Sequence, residues 1–418
     1  MPEFSVIVIG GGAAGFFAAI NCAQLHPECS VTILEKTSQL LAKVKVSGGG
    51  RCNVTNACTD NSLLVKNYPR GEKELRSVFS RFSTTDTFKW FEERGVKLKA
   101  ESDGRIFPVT NSSETIVNCL MNEAERSGVK IKLGVSIEKI ISNPDNTFTL
   151  SEKGGGIFHC DKLIVASGGN ANESSYEWLK KLGHTIIKPV PSLFTFNMPG
   201  NPVTKLMGVS ASDADVKIAG TKIHTRGAVL VTHWGMSGPA ILKASAFGAR
   251  ILSELNYNFS ALINWLPETP EEELKNILSA HKKENAGKII STDSPFEIPK
   301  RLWEFFVTKA GIKSTLRWAD LPKKENEALC KIILSDEYHV RGKTTFKEEF
   351  VTCGGVSLKE IDFGTMQSKI VPNLFFAGEI IDVDGITGGF NFQNAWSTAW
   401  VVAKNITSSS AHSSPQTL

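Results

Sequence analysis

The chain contains 418 residues, of which 41% are hydrophobic and 22% are charged, and its formal net charge is +4. The length predicts two or three domains, and the composition is that of a soluble globular protein. The basic residues are spread along the chain, which argues against nucleic acid as a partner and against membrane binding. Eight cysteines without a CxxC pair or zinc-type spacing predict reduced thiols and no metal site. With no signal-peptide pattern, the protein is predicted to be cytoplasmic.

The first elements of the chain predict a dinucleotide-binding unit. The apolar run Phe4–Ile9 is typical of a buried parallel strand, and Ala13–Leu25 is typical of a helix. The turn between them carries Gly10, Gly12 and Gly15 in a Gly-x-Gly-x-x-Gly pattern. The first glycine allows a tight turn, the second allows close approach of a pyrophosphate, and the third allows the helix to pack on the strand. The N–H groups of the helix N-terminus would then bind the pyrophosphate.

A second strand and an acidic residue complete this unit. The apolar segment Val31–Leu34 predicts the strand, and Glu35 follows it, 20 residues after Gly15. At this position a carboxylate accepts hydrogen bonds from the ribose hydroxyls of an adenine dinucleotide. The alternative is an ordinary strand–helix–strand unit with a small-residue turn and a solvated Glu35. Four glycines within residues 4–25 argue against a membrane span or signal peptide there.

The segment after Glu35 is predicted to be a glycine-rich loop. Three glycines at positions 48–50 precede Arg51, Asn53 and Thr55, which places backbone donors and short polar side chains around a polar group. A loop directly behind the ribose-binding acid can reach the pyrophosphate and ribitol of FAD. The alternative is a surface loop in which the asparagine and threonine side chains cap turns. The composition alone does not decide between the two.

The middle of the first half predicts helices, a strand and a small antiparallel sheet. Residues 72–94 have the pattern of two helices with aromatic core residues, and residues 104–108 have that of a strand ending at a turn. Asn111 is the predicted N-cap of a helix that ends near Arg126. Four short strands within residues 129–160 are expected to form a β-meander of the kind often inserted in such a domain.

A change in composition near residue 190 predicts a domain boundary. Before it, residues 163–170 return to a buried strand with a glycine turn, expected to lie beside the first strand. Closely spaced prolines then suit a crossing between domains. Residues 190–345 predict an inserted substrate-binding or cap domain, with a β part over residues 190–266 and a helical part over residues 267–334.

The C-terminal segment again has a cofactor-binding pattern. Residues 374–403 predict a buried strand, a Gly-Glu turn, a glycine-rich loop and a helix that starts near Gly389. Such a helix start directs N–H groups at the flavin edge where negative charge gathers on reduction. The glycines within residues 352–362 predict a turn between strands, and residues from 408 onward are expected to be disordered.

Five motifs taken together resemble a known family. In chain order they are GGGRCNVTN, GRIFP, LVTHWGMSGPAIL, GGVSLKEID and AGEIIDVDGITGGFNFQNAW. Over nearly the whole chain they resemble the BaiN/YhiN-type flavoproteins, a family of NAD(P)/FAD-dependent oxidoreductases or aminoacetone-oxidase-like enzymes. The resemblance implies FAD bound in an extended form by the N- and C-terminal segments, an inserted domain over the flavin, and no settled substrate. The family often has Gly-Asn-Gly where this chain has glycines at 48–50, which removes a side-chain contact but keeps the backbone donors.

The predicted cofactor-binding residues come from the glycine pattern and from this resemblance. They lie in the first glycine turn, at the end of the second strand, in the loop that follows, in the segment before residue 170, and in the C-terminal loop. They are Gly10, Gly12, Ala13, Ala14, Gly15, Glu35, Lys36, Gly50, Arg51, Cys52, Asn53, Thr55, Ser167, Gly168, Gly378, Glu379, Asp382, Gly388, Gly389, Phe390 and Asn391.

His233 is the predicted catalytic residue. Histidine is the residue type whose ordinary pKa lies nearest neutral pH, so it could exchange a proton with substrate or with flavin N5. The alternative is a structural histidine that fixes the turn before Gly235.

A redox-active disulfide between Cys52 and Cys58 is disfavoured. Five residues separate the two cysteines, whereas disulfide reductases of related fold have four. Those enzymes also have a second Gly-x-Gly-x-x-Gly for NADPH in mid-chain, which this chain lacks. If NAD(P)H reduces the flavin, it must therefore bind transiently, without a Rossmann unit of its own.

The sequence as a whole predicts an FAD-dependent oxidoreductase. The fold is expected to be α/β, with a Rossmann-type, glutathione-reductase-like FAD-binding domain (residues 1–189 and 346–418) carrying an inserted β-barrel-like and helical domain. Hydride would pass between flavin N5 and a small organic substrate in the cleft between the domains. Three alternatives stay open: a flavin oxidase of a small amine or amino-ketone, an RNA-modifying flavoprotein, and a flavin-binding partner protein without turnover. The electron donor, the substrate and the oligomeric state do not follow from the sequence.

Overall fold

The computed structural model describes residues 2–345 and 351–407. The chain divides into two compact units, Met1–Val190 with Lys347–Leu418, and Pro191–Phe346. The segment from residue 408, predicted to be disordered, lies outside the described residues. Within the described ranges, no helix is both long enough and apolar enough to cross a membrane.

Helices and strands are numbered in chain order. The helices are α1 Ala13–Leu25, α2 Ala42–Gly50, α3 Asn61–Leu64, α4 Glu72–Phe79, α5 Thr84–Glu92, α6 Glu114–Arg126, α7 Glu177–Lys181, α8 Pro239–Phe247, α9 Ala249–Glu254, α10 Glu271–Glu284, α11 Lys300–Lys309, α12 Lys323–Leu334 and α13 Phe390–Asn405. The strands are β1 Phe4–Ile9, β2 Cys29–Glu35, β3 Thr55–Asn56, β4 Leu98–Ala100, β5 Arg105–Pro108, β6 Lys130–Leu133, β7 Ile137–Ser142, β8 Phe148–Glu152, β9 Ile157–Cys160, β10 Lys162–Val165, β11 Ile186–Ser192, β12 Thr195–Asn197, β13 Ser210–Ile218, β14 His224–Val231, β15 Gly235–Ser237, β16 Asn258–Asn264, β17 Asp336–Arg341, β18 Lys343–Thr344, β19 Val351–Val356, β20 Ile361–Asp362, β21 Gln367–Ser368 and β22 Leu374–Phe376.

A largely parallel sheet forms the centre of the first unit. Its strand order is β20-β21-β22-β10-β1-β2-β6. The five strands from β22 to β6 are parallel, and β20 and β21 add an antiparallel edge. β1 lies inside the sheet and is almost entirely apolar, as a strand covered on both faces requires. The predicted strands β1 and β10, the helix α1 and the α/β class are therefore confirmed.

The β-meander prediction is partly wrong. β7, β8 and β9 do form a three-stranded antiparallel sheet. β6, by contrast, pairs in parallel with β2, with Thr32 opposite Lys130, and is the edge strand of the central sheet. Three of the four residues of β6 are exposed at this edge, so its alternating polar pattern is the same as that of a meander strand.

Two local predictions in the first unit also differ from the structure. Residues 42–50, predicted to be loop, begin as helix α2, which is interrupted by non-helical backbone from Ser47 to Gly49. Asn111, the predicted N-cap of α6, instead lies in the preceding turn with a φ of 53°. The N-cap is Ser113. Asparagine is favoured both at helix N-caps and at turn positions with left-handed backbone, so the residue type does not distinguish the two here.

The glycines of β19 were predicted to form a turn, but they lie within a strand. A Cβ atom on Gly354 would come within 2.6 Å of the carbonyl oxygen of Lys188, and one on Gly355 within 2.3 Å of that of Ile380. These glycines therefore allow neighbouring backbone to approach β19 closely, a role that strand glycines often have.

The second unit contains an antiparallel sheet that closes on itself. The order is β17-β16-β13-β14-β15-β12-β18, with antiparallel pairing throughout. The two end strands, β17 and β18, are separated in sequence by Gly342 alone, so one continuous stretch of chain pairs with both β16 and β12. The sheet is thus barrel-like. Helices α10, α11 and α12 pack with it around buried Trp265, Trp303 and Trp318.

Candidate functional site

Two glycines of the β1–α1 turn are required by the fold itself. Gly10 has a φ of 112°, and a Cβ atom there would lie 2.4 Å from the carbonyl oxygen of Ala166. A Cβ atom on Gly15 would lie 1.9 Å from the carbonyl oxygen of Gly10. Any side chain at either position would therefore collide with backbone. At Gly15 this is the close packing of helix on strand that the sequence pattern predicts, whereas at Gly10 the backbone belongs to the segment after β10.

Gly12 is different, because no residue that the structure describes occupies the space beside it. A Cβ atom there would meet no atom within 4 Å. Gly12 is the N-cap of α1, and no side chain caps this helix end. The first intrahelical bond is donated by the Phe16 N–H to the Gly12 carbonyl oxygen, so the N–H groups of Ala13, Ala14 and Gly15 precede the helical ladder. This end of α1 is open to an approaching anion.

The Glu35 carboxylate lies beside this turn. Its Oε2 accepts a hydrogen bond from the Gly11 N–H at 2.8 Å. Its Oε1 accepts from both the N–H and the hydroxyl of Thr37, each at 2.8 Å. These bonds hold the carboxylate at the carboxyl end of β2, next to the glycine turn. A carboxylate has about four lone-pair sites, so acceptor capacity is left for a ligand hydroxyl.

A cavity of about 390 Å³ opens at the carboxyl ends of β1, β2, β6 and β10. Parallel strands end at the same edge of a sheet, and ligands of α/β proteins bind at that edge. The cavity brings together five of the predicted residues with others that the sequence reasoning missed. The predicted ones are Gly10, Glu35, Lys36, Ser167 and Gly168; the missed ones that follow β6 and β10 are Val135, Ser136, Ile137, Glu138, Asn170, Ser174, Ser175, Tyr176, Glu177, Trp178 and Lys181.

The missed residues carry no motif of their own. They follow the carboxyl ends of β6 and β10, and that position is the signal that could have found them. Another cavity, of about 400 Å³, is lined by Gln24, Glu123 and Arg126 among others, and includes none of the predicted residues.

The glycine-rich loop after α2 packs against the start of α13. With the Asn53 amide oriented to satisfy its neighbours, its Oδ1 accepts from the Gly389 N–H at 2.9 Å, and its Nδ2 donates to the Thr55 carbonyl oxygen at 3.0 Å. Asn56 Nδ2 donates to the Gly388 carbonyl oxygen at 3.0 Å. A Cβ atom on Gly389 would lie 2.3 Å from the Thr55 carbonyl oxygen. Two predicted segments more than 300 residues apart in sequence therefore adjoin.

The C-terminal segment also reaches the first turn of α1. A Cβ atom on Gly378 would lie 2.8 Å from the side chain of Ala14 and 3.8 Å from Ala395 of α13. The Gly378 N–H donates to the Thr398 hydroxyl at 2.9 Å. α13, like α1, begins without a side-chain cap, at Gly389 with a φ of 90°. The N-terminal turn of α1 and the segment leading to α13 thus lie together in the first unit.

Several predicted residues have side chains engaged within the protein. Arg51 donates to Glu101 at 2.6 Å and stacks over Phe107. The Thr55 hydroxyl bonds to buried Gln393. Two others fix backbone: Asn391 pairs with both the N–H and the carbonyl of Gly385, and Glu379 accepts from the Thr352 N–H and Lys43. Gly50 borders open space, whereas Asp382 and Phe390 are buried. These side chains hold the loops in place, and direct contacts to a cofactor stay predictions.

The two cysteines near the loop are free thiols. Cys52 is fully buried, and burial raises its pKa to about 12. Burial also raises the pKa of Cys58. Thiols with raised pKa values are poor nucleophiles, which agrees with the sequence argument against a redox-active pair.

His233 lies in the second unit, at the tip of the turn between β14 and β15. The turn is closed by Thr232 and Gly235, whose backbone groups bond to each other at 2.8 and 3.4 Å. The Gly235 N–H also donates to the Thr232 hydroxyl at 3.1 Å. The His233 ring is exposed and packs edge-on against Trp234, with 4.3 Å between ring centroids. The turn is therefore not fixed by hydrogen bonds from the imidazole.

The site in the first unit fits the ADP half of FAD on three observations. Gly12 borders open space at an uncapped helix N-terminus, Glu35 is held at the adjoining strand end, and one cavity joins both strand ends. Phosphate, ribose hydroxyl and base are the groups that such a turn, acid and cavity can take.

Comparisons with known proteins identify relatives over almost the whole chain. A family described as "HI0933-like protein Rossmann domain" matches residues 4–405. The ribosomal RNA dihydrouridine synthase of Haemophilus influenzae is 30% identical, covering 97% of this chain and 99% of that protein. The 3-dehydro-bile acid delta(4,6)-reductase of Clostridium scindens is 27% identical, covering 95% and 97%. The ribosomal RNA dihydrouridine synthase of Escherichia coli is also 27% identical, covering 97% and 98%.

Solved structures show a similar fold at low sequence identity. The 3-ketosteroid-Δ4-(5α)-dehydrogenase of Rhodococcus jostii is 13% identical with a TM-score of 0.50, covering 97% of this chain and 98% of that chain. The quinol fumarate reductase of Escherichia coli is 13% identical with a TM-score of 0.50, covering 96% and 69%. At such identities the likeness concerns the fold alone.

Proposed function

The chain belongs to the HI0933-like family of Rossmann-type, FAD-dependent oxidoreductases, and from this premise we propose that it reduces a ring carbon–carbon double bond next to a carbonyl group. FAD, when bound, supplies hydride exchange at flavin N5. The observation that carries the cofactor assignment is the open end of α1 at Gly12, beside Glu35.

The protein's own residues bind and orient the cofactor in this proposal. The N–H groups of Ala13, Ala14 and Gly15 bind the pyrophosphate, and Glu35 accepts hydrogen bonds from the ribose hydroxyls. The uncapped start of α13, positioned by the bond between Asn53 and Gly389, stabilises negative charge on the flavin. His233 is the proposed proton donor, because its imidazole is exposed and the hydrogen bonds that close its turn are made by Thr232 and Gly235.

The reaction class is proposed from what two relatives' names share. A dihydrouridine synthase and a delta(4,6)-reductase both add hydrogen to a ring double bond, one in a nucleobase and the other in a bile acid. A double bond conjugated to a carbonyl accepts hydride at the far carbon and a proton at the near one. The first candidate substrate is a small cyclic enone, in line with the predicted small organic substrate.

Uridine in ribosomal RNA is the second candidate substrate. Two relatives carry that activity in their names, and one of them is 30% identical over 97% of this chain. The net charge of +4 is modest for an RNA-binding protein of 418 residues. Substrate size therefore has to be decided by experiment.

The test starts with an absorbance spectrum of the purified protein, followed anaerobically while NADH and then NADPH is added. A flavin spectrum that bleaches with either nucleotide supports a nicotinamide-driven reductase. A spectrum that does not change contradicts NAD(P)H as donor and favours reduction by substrate, as expected of the amine oxidase alternative. Protein that binds no flavin, even with FAD added, contradicts the central proposal.

A second experiment offers acceptors to the reduced protein. A steroid enone and an unmodified ribosomal RNA transcript are added separately under anaerobic conditions, and flavin reoxidation and the reduced product are measured. Reoxidation by one of them identifies the substrate class. Gly12→Ala is the matched control, because its Cβ atom would occupy the open space proposed for the pyrophosphate without touching the protein. Reoxidation by oxygen alone, with neither acceptor reduced, contradicts the proposed reaction.

A further inference from the structure

The outer wall of the cavity at Glu35 is built by residues 170–181, to which the sequence assigns no role. Asn170, Ser174 to Trp178 and Lys181 all line the cavity. The cavity is also lined by residues that follow β6, from Val135 to Glu138. A ribose held at Glu35 has its base within this same cavity, because the glycosidic bond is the next bond along from the ribose hydroxyls. The base would therefore lie among the side chains that line this cavity.

Two aromatic residues line the cavity, and their surroundings differ. Tyr176 is buried, and its hydroxyl accepts from the Asn170 N–H at 2.9 Å and donates to the Asn170 carbonyl oxygen at 3.3 Å. Its burial raises its pKa to about 12. Tyr176 therefore fastens the wall to the end of β10 and is an internal support.

Trp178 is partly exposed and has its polar group already satisfied. Its Nε1 donates to the Ser175 carbonyl oxygen at 3.0 Å, which fixes the edge of the indole within its own turn. The next residue, Leu179, is fully buried and anchors α7. What Trp178 offers to the cavity is therefore apolar ring surface on a well-anchored element. A flat, apolar, electron-rich surface is suited to stacking against a purine.

We propose that the Trp178 indole stacks on the adenine ring of FAD and is a cofactor-binding residue of this chain. The inference rests on the proposed function, since it requires FAD in the cavity at Glu35. Trp178 contacts the adenine base, in addition to the turn, the helix N-terminus and the acid that hold the pyrophosphate and ribose. The stacking contact involves only the adenine ring, so it strengthens the binding of ADP as well as that of FAD, but not that of riboflavin.

The test uses ADP as the probe, because ADP does not absorb tryptophan emission and leaves the flavin site empty. Apoprotein is titrated with ADP while tryptophan fluorescence is recorded for wild type, Trp178→Phe and Trp178→Ala. Wild-type fluorescence is expected to be quenched at saturation, and this quench should be absent in Trp178→Phe. Trp234→Phe, a change in the second unit, is the matched control and should keep it. Alanine substitution at a base-stacking aromatic residue weakens binding by about 5- to 150-fold, so the Kd of ADP and of FAD should rise by that factor in Trp178→Ala.

The outcomes separate this inference from the proposed function. Wild-type protein that binds ADP and FAD, with unchanged quench and Kd in both Trp178 variants, overturns the stacking contact and leaves FAD binding intact. Trp178→Phe keeps a ring, so it should bind ADP within about threefold of wild type, and a larger loss would point to disruption of the wall and contradict stacking. Wild-type protein that binds neither ligand overturns the proposed function and this inference together.

Discussion

Replacing Glu35 with glutamine tests how the ribose site is built. The carboxylate accepts three hydrogen bonds, one at Oε2 from the Gly11 N–H and two at Oε1 from Thr37. Glutamine has one amide oxygen, so in either orientation its NH₂ group faces a backbone N–H. The less costly orientation keeps both bonds from Thr37 and places the NH₂ against the Gly11 N–H. One hydrogen bond is lost and two donors are opposed.

The expected losses can be estimated for both stability and cofactor binding. A buried or half-buried donor left without an acceptor costs about 1–3 kcal/mol, so the free energy of unfolding of the apoprotein should fall by that amount. A hydrogen bond to a charged group contributes about 1.5–3 kcal/mol, which corresponds to roughly 10- to 150-fold weaker binding of FAD for each ribose bond lost. Glu35→Gln should therefore weaken FAD binding by at least about tenfold.

The assay is a titration of deflavinated protein with FAD, followed by flavin fluorescence, together with urea unfolding of the apoprotein. Thr37→Val is the matched control, since it removes the hydroxyl donor but leaves the carboxylate and its bond from Gly11. It should change the Kd of FAD by less than about fivefold, a surface hydrogen bond being worth about 1 kcal/mol. Equal FAD affinity in Glu35→Gln and wild type would refute the assignment of Glu35 to the ribose.

Three further predictions concern other parts of the first unit. Gly12→Ala should fold normally but bind FAD at least about tenfold more weakly. Gly15→Ala, whose Cβ would lie 1.9 Å from a backbone oxygen, should lose folded protein as judged by circular dichroism. Normal FAD binding by either variant would contradict the roles assigned to these glycines. Arg70→Met removes the guanidinium that bonds to the fully buried Asp384 carboxylate, so the free energy of unfolding in urea should fall by about 3–5 kcal/mol, and a loss under 1 kcal/mol would count against this reasoning. Burial lowers the pKa of His184, so the unfolded chain binds the proton more readily and the free energy of unfolding should decline as the pH falls below about 6.5. His184→Gln should flatten the pH dependence of the free energy of unfolding between pH 7.5 and 5.5, and an unchanged pH dependence would disprove the role of His184.

The sequence predicted the strand, turn and helix of the dinucleotide-binding unit, and the structure has them at the predicted positions. Gly15 needed no tertiary information, because a Cβ atom there would collide with the Gly10 carbonyl oxygen within the same strand–turn–helix unit, whereas the collision at Gly10 is with Ala166, which follows β10. The α/β class and the barrel-like insertion likewise followed from alternation, glycine spacing and the family resemblance. The binding roles of the predicted residues stay predictions that the experiments above address.

Other predictions failed where one pattern has two structural meanings. β6 reads as a meander strand because an edge strand of a parallel sheet also alternates polar and apolar residues. The glycines of β19 predict a turn from sequence, although in the structure they permit close approach of the backbone at Lys188 and Ile380. Asn111 reads as a helix cap, although its left-handed φ places it in a turn. For β6 and β19 the deciding contact comes from a residue that the local pattern does not contain.

The sequence by itself determined the local geometry of the cofactor turn, while the tertiary structure alone decided which distant segments complete the site. Asn53 binds the backbone at Gly389, and Gly378 packs against Ala14, across more than 300 residues of sequence. Trp178 faces the cavity at Glu35 without any motif to announce it. The spacing of the glycines within one strand–turn–helix unit is set by bond lengths and steric exclusion, and it can therefore be recognised in the sequence. The pairing of distant segments depends on how β1, β10 and β22 lie side by side in the sheet, which no local pattern encodes.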